Sequence, residues 1–232
     1  MAQTYQQVDI NTWHYSDPHR NSNGGMNLWI NESATSKTAP VFQLEPVVAK
    51  FGTRAPMENS TSTRRNMEVA VQSKELLEFI STVDKQNIRE VAKNSQTYFK
   101  KELSEDILAQ TLYRWSAATH EKYDPLLRIK IATEGRDPTK VYRVVKEEGN
   151  NLETEAGTWE DIQPYCKVLP MVACGGLWFV SKQFGMSWIA KAVLVWPSEK
   201  KVQNNFVGYN INTKPTLTVD DGPKDMEEDD VM

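Results

Sequence analysis

The stretch VLPMVACGGLWFVSKQFGMSWIAKAVLVWP, Val168 to Pro197, decides the reading of this chain. Three runs rich in β-branched and aromatic residues, Val168 to Ala173, Leu177 to Val180 and Trp188 to Trp196, are punctuated by Gly175-Gly176 and Phe184-Gly185, and Pro197 ends the last one. Short runs of that composition between turn residues are the signature of a β-meander. Adjacent side chains on a strand point to opposite faces, so at most one of Trp178 and Phe179 belongs to the core of a one-sided sheet. Trp188 and Trp196 are eight positions apart and fall on a common face if their strand stays regular.

Upstream, Leu127, Ile129 and Ile131 alternate with Arg128, Lys130 and Ala132, which predicts a strand that packs one face and projects two cations from the other. Glu134 to Pro138 reads as a turn, and Val141 to Val145 as the returning arm of a hairpin. Glu147 to Gly157 reads as an acidic loop, and Thr158 to Ile162 as a short turn or helical piece. Val41 to Phe51 is a further candidate strand. Met67, Val69 and Val71 mark a half-buried one after the polar loop Arg54 to Thr63. Between the strand groups, Ser73 is placed as an N-cap ahead of Leu76, Leu77, Ile80, Val83, Ile88 and Val91, the clearest helical pattern in the chain. Ser104, followed by Glu105 and Asp106, starts a second helix that is expected to run to about Trp115. Residues 1–40 are rich in Asn, Ser, Thr and Gln and read as a polar arm with one short strand near Met26 to Ile30.

The expected fold class is therefore mainly β with a helical insertion: an OB-fold-like five-stranded Greek-key barrel, a polar N-terminal arm and a disordered acidic C-terminal tail. The expected organisation is an arm at 1–40, a barrel domain at 41–200 with its insertion at 73–118, a linker at 201–219 and a tail at 220–232. At 232 residues the chain is long enough to bury an ordinary core without a cofactor or disulfide. Cys166 and Cys174 lie in apolar sequence without ligand-type neighbours and read as reduced core thiols. With no secretory start and no apolar run of membrane-spanning length, an intracellular, soluble protein is expected.

Charge is distributed unevenly. Between Ile162 and Val219 the charged residues are six lysines and Glu199, among eight aromatics. The tail then carries Asp220, Asp221, Asp225, Glu227, Glu228, Asp229 and Asp230 against Lys224, a net −6 that leaves +2 on the rest of a chain whose total is −4. The acidic balance thus does not exclude a polyanionic ligand. A cationic, aromatic body suits single-stranded nucleic acid, in which rings stack on bases and lysines neutralise phosphates, while a tethered acidic segment competes for the groove or recruits partners.

Enzymatic constellations are missing from the sequence. His14, His19 and His120 lie in polar stretches without catalytic spacing, and there is no phosphate-binding glycine loop, zinc-protease helix or nucleophile elbow. No enzyme activity, cofactor or metal is expected. The residues that point to binding are Arg128, Lys130, Arg143, Lys146, Lys182 and Lys191 for phosphates, and Trp178 and Trp188 for bases, with Phe179 and Phe184 assigned to the core.

Several stretches carry a resemblance: Tyr123 to Thr133, Gly157 to Val168, Cys174 to Trp188, Val193 to Pro197 and the helical Asn94 to Ser104. Together they resemble the single-stranded DNA-binding proteins of large eukaryotic (nucleocytoplasmic) DNA viruses over about residues 41–200. That group is similar to the phage single-stranded DNA-binding proteins that carry an oligonucleotide-binding barrel and an acidic tail. The resemblance implies a protein of viral DNA replication and recombination that coats displaced strands in the host nucleus or at cytoplasmic replication sites. It also implies polymerase or helicase partners for the tail, no membrane contact, and leaves homo-oligomerisation open. The phage tails end in an aromatic residue, whereas this chain ends Val231-Met232, so docking through a terminal ring does not carry over. The rival readings are a virion or scaffold protein that uses its aromatics for protein contacts, and an RNA-binding regulator on the same barrel.

Overall fold

The computed structural model describes residues 3–21, 24–55 and 63–197, with side chains excepted at 118–120. The arm contributes five short strands: β1 (Gln3–Thr4), β2 (His14–Tyr15), β3 (His19–Arg20), β4 (Met26–Leu28) and β5 (Ile30–Asn31). Then come β6 (Val41–Gln43), β7 (Val47–Arg54) and β8 (Arg64–Ala70). The helical insertion holds α1 (Lys74–Lys93), α2 (Ser95–Phe99) and α3 (Glu105–Ile107). Seven strands complete the body: β9 (Tyr113–Arg114), β10 (Ala117–His120), β11 (Tyr123–Ala132), β12 (Lys140–Glu148), β13 (Asn151–Gly157), β14 (Cys166–Val180) and β15 (Gln183–Trp196).

Five of these strands close on themselves. β7 pairs antiparallel with β8 and β8 with β11; β11 runs parallel to β15; and β15 and β7 both pair antiparallel with β14. Numbered along the chain, the barrel strands follow one another in the order first, second, third, fifth, fourth and back to the first, a closed five-stranded barrel of the oligonucleotide-binding kind. The helical insertion joins the second and third of them, as its sequence position predicts. Alternation supplies the interior: Met67, Val69, Leu127, Ile129, Ile131, Val168, Trp188, Val193 and Val195 are all buried. Each such side chain contributes about 1.5–3 kcal/mol relative to exposure.

α1 begins where the Ser73 side chain accepts the Leu76 amide at 3.3 Å, and Leu76, Ile80, Val83, Ile88 and Val91 share one core with the barrel. The helix starting at Ser104 is shorter than expected. Ser104 Oγ accepts the Ile107 amide at 3.4 Å, but α3 passes directly into a π-helical turn, Leu108–Leu112, and then into β9.

Four further expectations are corrected. The runs at 168–173 and 177–180 are one strand, β14, with a bulge at Gly175-Gly176 instead of a break. Gly176 has φ +87°, and a Cβ there would stand 2.2 Å from the Leu28 carbonyl oxygen, so only glycine admits the arm this closely. β11 and β12 do not form a hairpin: both lie parallel to β15, β11 at Trp188 and Ile189 and β12 at Ala192 to Val195. The acidic segment is not a loop but the end of β12, a turn at 149–150 and β13, which pairs with β12 and sets Glu155 against Arg143. Finally, the described part of the first forty residues packs on the barrel, with Tyr5, Trp13, Leu28 and Ile30 buried in the common core. A polar composition concealed them because only one or two residues per short strand face inward.

Cys166 and Cys174 are free and buried, as expected; burial pushes the Cys166 thiol up to about 11. No helix among the described residues is long and apolar enough to cross a membrane.

Candidate nucleic-acid interface

Beyond the last contact of β15 with β11, at Trp188, the β14–β15 hairpin continues as a blade. β4, itself paired with β3, extends it on one side through residues 177–179, and β9 on the other through residues 184 and 185. Ser181 and Lys182 make its two-residue turn with φ +51° and +67°. That conformation is ordinarily filled by Asn, Asp or Gly, so a lysine here is held at a local conformational cost.

Register places His19, Asn27, Trp178, Gly185 and Arg114 in one row across the outer face of the blade. A Cβ on Gly185 would stand 2.9 Å from Trp178 Cζ2 and 3.2 Å from Cε2, so the indole rests against the bare backbone of β15. Trp178 itself is half-buried, and His19 and Arg114 at either side are exposed. Arg114 Nε donates to the Gln183 side chain at 3.0 Å. Two residues further along β15, Ser187 Oγ accepts from Lys130 Nζ at 2.8 Å. Burial, and then the neighbouring Arg64, hold the Lys130 ammonium below its ordinary range.

The alternate row, Arg20, Met26, Phe179, Phe184 and Tyr113, faces the helical insertion. Phe179 stacks on Phe184 with centroids 5.3 Å apart, and Tyr98 and Phe99 of α2 pack against Phe179 at 5.2 and 5.9 Å. Between α2 and the blade lies a groove of about 680 Å³ whose walls carry Arg20, Lys100, Lys101 and Lys182. No Asp or Glu lines it among the described residues, and none of these four cations makes a hydrogen bond or ion pair through its side chain with a described residue. Lys100, with φ +60°, and Lys182 both hold left-handed backbone on its rim.

The structure sorts the residues expected from sequence into three groups. Trp178 and Lys182 belong to the blade, and Lys130 adjoins it. Trp188 is corrected outright: it is 2% exposed, packs edge-on against Phe42, and donates Nε1–H to Ser116 Oγ at 2.9 Å. It does not share a face with Trp196, because Lys191 is an extra residue between Ala190 and Ala192 in the pairing with β14, and that bulge inverts the alternation beyond it. The remaining cations are distributed over a wall made of the barrel strands and the β12–β13 pair laid along β15, and are spent on neighbours: Arg128 on Glu68 at 2.7 Å, Arg143 on Glu155, Lys146 on Glu148 at 2.7 Å, and Lys191 on Asp137 at 2.6 Å. They form no common stripe with the blade. Asp220, Asp221, Asp225, Glu227, Glu228, Asp229 and Asp230 lie outside the described residues. Sequence reasoning passed over Arg20, Lys100 and Lys101, although Tyr98-Phe99-Lys100-Lys101 is itself an aromatic and basic cluster.

Behind the blade, α1 presents a buried carboxylate. Asp84 Oδ1 accepts from Tyr113 OH at 2.5 Å and Ser116 Oγ at 2.7 Å, and Oδ2 accepts the Ser116 amide at 2.8 Å. Burial raises Asp84 to about 6, against the lowering effect of those hydrogen bonds. Through Ser116 the network reaches the Trp188 indole, and through Asn87 it reaches Tyr113 and the arm residue Tyr15. These contacts fix the insertion and the arm against the blade and so set the width of the groove.

A protein-family profile matches residues 57–208. The chain belongs to the family of unknown function DUF5871. The matched region runs from ahead of β8 past the end of β15, so it takes in four of the five barrel strands, the helical insertion and the β9, β14 and β15 strands of the blade, and leaves β7 and the arm, with the blade strands β3 and β4, outside. No curated protein matches the chain.

Proposed function

We propose that this protein binds single-stranded DNA without strong sequence preference, through the blade at the connection between its fourth and fifth barrel strands. The observation that carries the reading is the outer row of the blade, where an accessible indole rests on Gly185 between His19 and Arg114, with Lys182 at the adjoining tip. The connection between these two strands and the face of the second and third are where barrels of this topology engage oligonucleotides. Stacking of one base on Trp178 contributes about 1–3 kcal/mol, and cations with no ion-pair partner among the described residues are available to phosphates without breaking a described ion pair. The resemblance to the single-stranded DNA-binding proteins of large DNA viruses supports DNA over RNA and a role in replication or recombination.

The test is titration of a thymidylate oligomer into the full chain, followed by tryptophan fluorescence at two salt concentrations. Quenching is expected, with an affinity that falls by a log–log slope of about −0.7 for each phosphate neutralised. Unquenched fluorescence at saturating oligomer rejects the reading and favours protein–protein use of the exposed rings. Tighter binding of a matched uridylate strand reassigns it to RNA.

A further inference from the structure

Building on single-stranded DNA binding at the outer row, we infer that the strand turns over the tip of the blade and continues into the groove on its other face, which is a second base-binding subsite. The blade is a single sheet layer thick here, so Trp178 on one face and Phe179 on the other are consecutive residues, and Lys182 at the turn is common to both surfaces. A phosphate at Lys182 joins the two. Beyond it the groove supplies Lys100, Lys101 and Arg20 for further phosphates, and the half-buried rings of Tyr98 and Phe99 for bases, backed by the buried Phe179.

Three features favour nucleic acid as the occupant. The groove walls carry four cations and, among the described residues, no carboxylate. Its floor is aromatic, not merely aliphatic. Two of its cations, Lys100 and Lys182, stand on left-handed backbone of the kind that persists where the surroundings over-determine it. An acidic peptide would use the same charges, and the experiment separates the two.

Thymidylate oligomers of about three, six and twelve nucleotides, a range within the site sizes of such barrels, are titrated into the full chain and into the K100E/K101E variant. The trimer, which reaches only the outer row, is expected to bind both alike, whereas the twelve-mer binds the variant about tenfold or more weakly, from charge reversal at two phosphate contacts. Acetylation of Lys100 and Lys101 by an amine-reactive ester, read by mass spectrometry on the unaltered protein, is expected to be blocked by the twelve-mer and not by the trimer. Equal twelve-mer affinity for both proteins, with unprotected Lys100 and Lys101, overturns the second subsite while leaving the outer row intact. Loss of an oligoglutamate ligand by the variant with DNA binding unchanged also overturns it, and assigns the groove to an acidic partner. If no oligomer binds the unaltered chain, the parent reading fails instead.

Discussion

The barrel wall and the blade carry the same kinds of residues and use them in opposite ways. On the wall, Arg128, Arg143, Lys146 and Lys191 each face a carboxylate from a neighbouring strand or loop or from their own, and Trp188 is folded into the core with its indole N–H satisfied. On the blade, Lys182 with Arg20, Lys100 and Lys101 has no such partner among the described residues, and Trp178 keeps an accessible surface. A count of lysines and tryptophans does not distinguish these regions. What distinguishes them is which cations already have a counter-charge and which rings already have a full set of neighbours.

The sharpest separation comes from the two indoles. Trp188→Ala is expected to cost about 3–5 kcal/mol of stability in denaturant unfolding, because it leaves a large cavity and removes the N–H that Ser116 Oγ accepts. DNA affinity per folded molecule is expected to hold. A selective loss of binding with unchanged stability would erase the contrast between wall and blade.

Next in size is Asp84→Asn, expected to cost about 1–3 kcal/mol, since an amide keeps one acceptor oxygen for the three donors that converge on the carboxylate, Tyr113 OH, the Ser116 hydroxyl and the Ser116 N–H. Burial raises the Asp84 carboxyl from 3.8 to about 6, so the folded chain holds the proton more tightly than the unfolded chain. The stability from this linkage is complete below about pH 4 and is lost as pH rises through about 6, with a total on the order of 3 kcal/mol. The variant is expected to lose that part of the pH slope in urea unfolding measured from pH 4 to 7.

Trp178→Ala is expected to weaken oligonucleotide binding by about 1–3 kcal/mol in fluorescence anisotropy, with a smaller effect on unfolding than Trp188→Ala. Gly185→Ala sharpens the point without removing the ring, because its methyl would displace the indole from its seat and is expected to weaken binding in the same assay. The smallest effect belongs to Arg143→Ala. Its ion pair with Glu155 is exposed and screened by solvent, so stability and DNA affinity are both expected to stay close to those of the unaltered chain in the same two assays. A large loss of affinity there would move the interface onto the wall.

The barrel was legible because local signals agreed with one another: the alternation of Leu127, Ile129 and Ile131, the cap at Ser73 and the β-branched and aromatic runs after Val168 all point to the strands and helix that form, whereas the glycines near 175 and 185 fall inside β14 and β15 and do not divide them. Pairing partners were not legible. A right-looking turn at 134–138 suggested a hairpin, but both of its arms lie along one edge of β15, a choice made by contacts distant in sequence. Facing was legible only as far as strands stayed regular, and the bulge at Lys191 was enough to separate Trp188 from Trp196. The groove was hidden for a related reason. Its cations come from the arm, the insertion and the hairpin turn, three segments more than seventy residues apart, and only folding assembles them.

Photochemical cross-linking of an iodouridine-substituted DNA oligomer to the full chain, with the attached peptides identified by mass spectrometry, tests the central claim most directly. Adducts are expected at Trp178 and at Tyr98 or Phe99, on the two faces of the blade. Adducts confined to the barrel wall, at Tyr142 or Trp196, with none on the blade, would contradict the account.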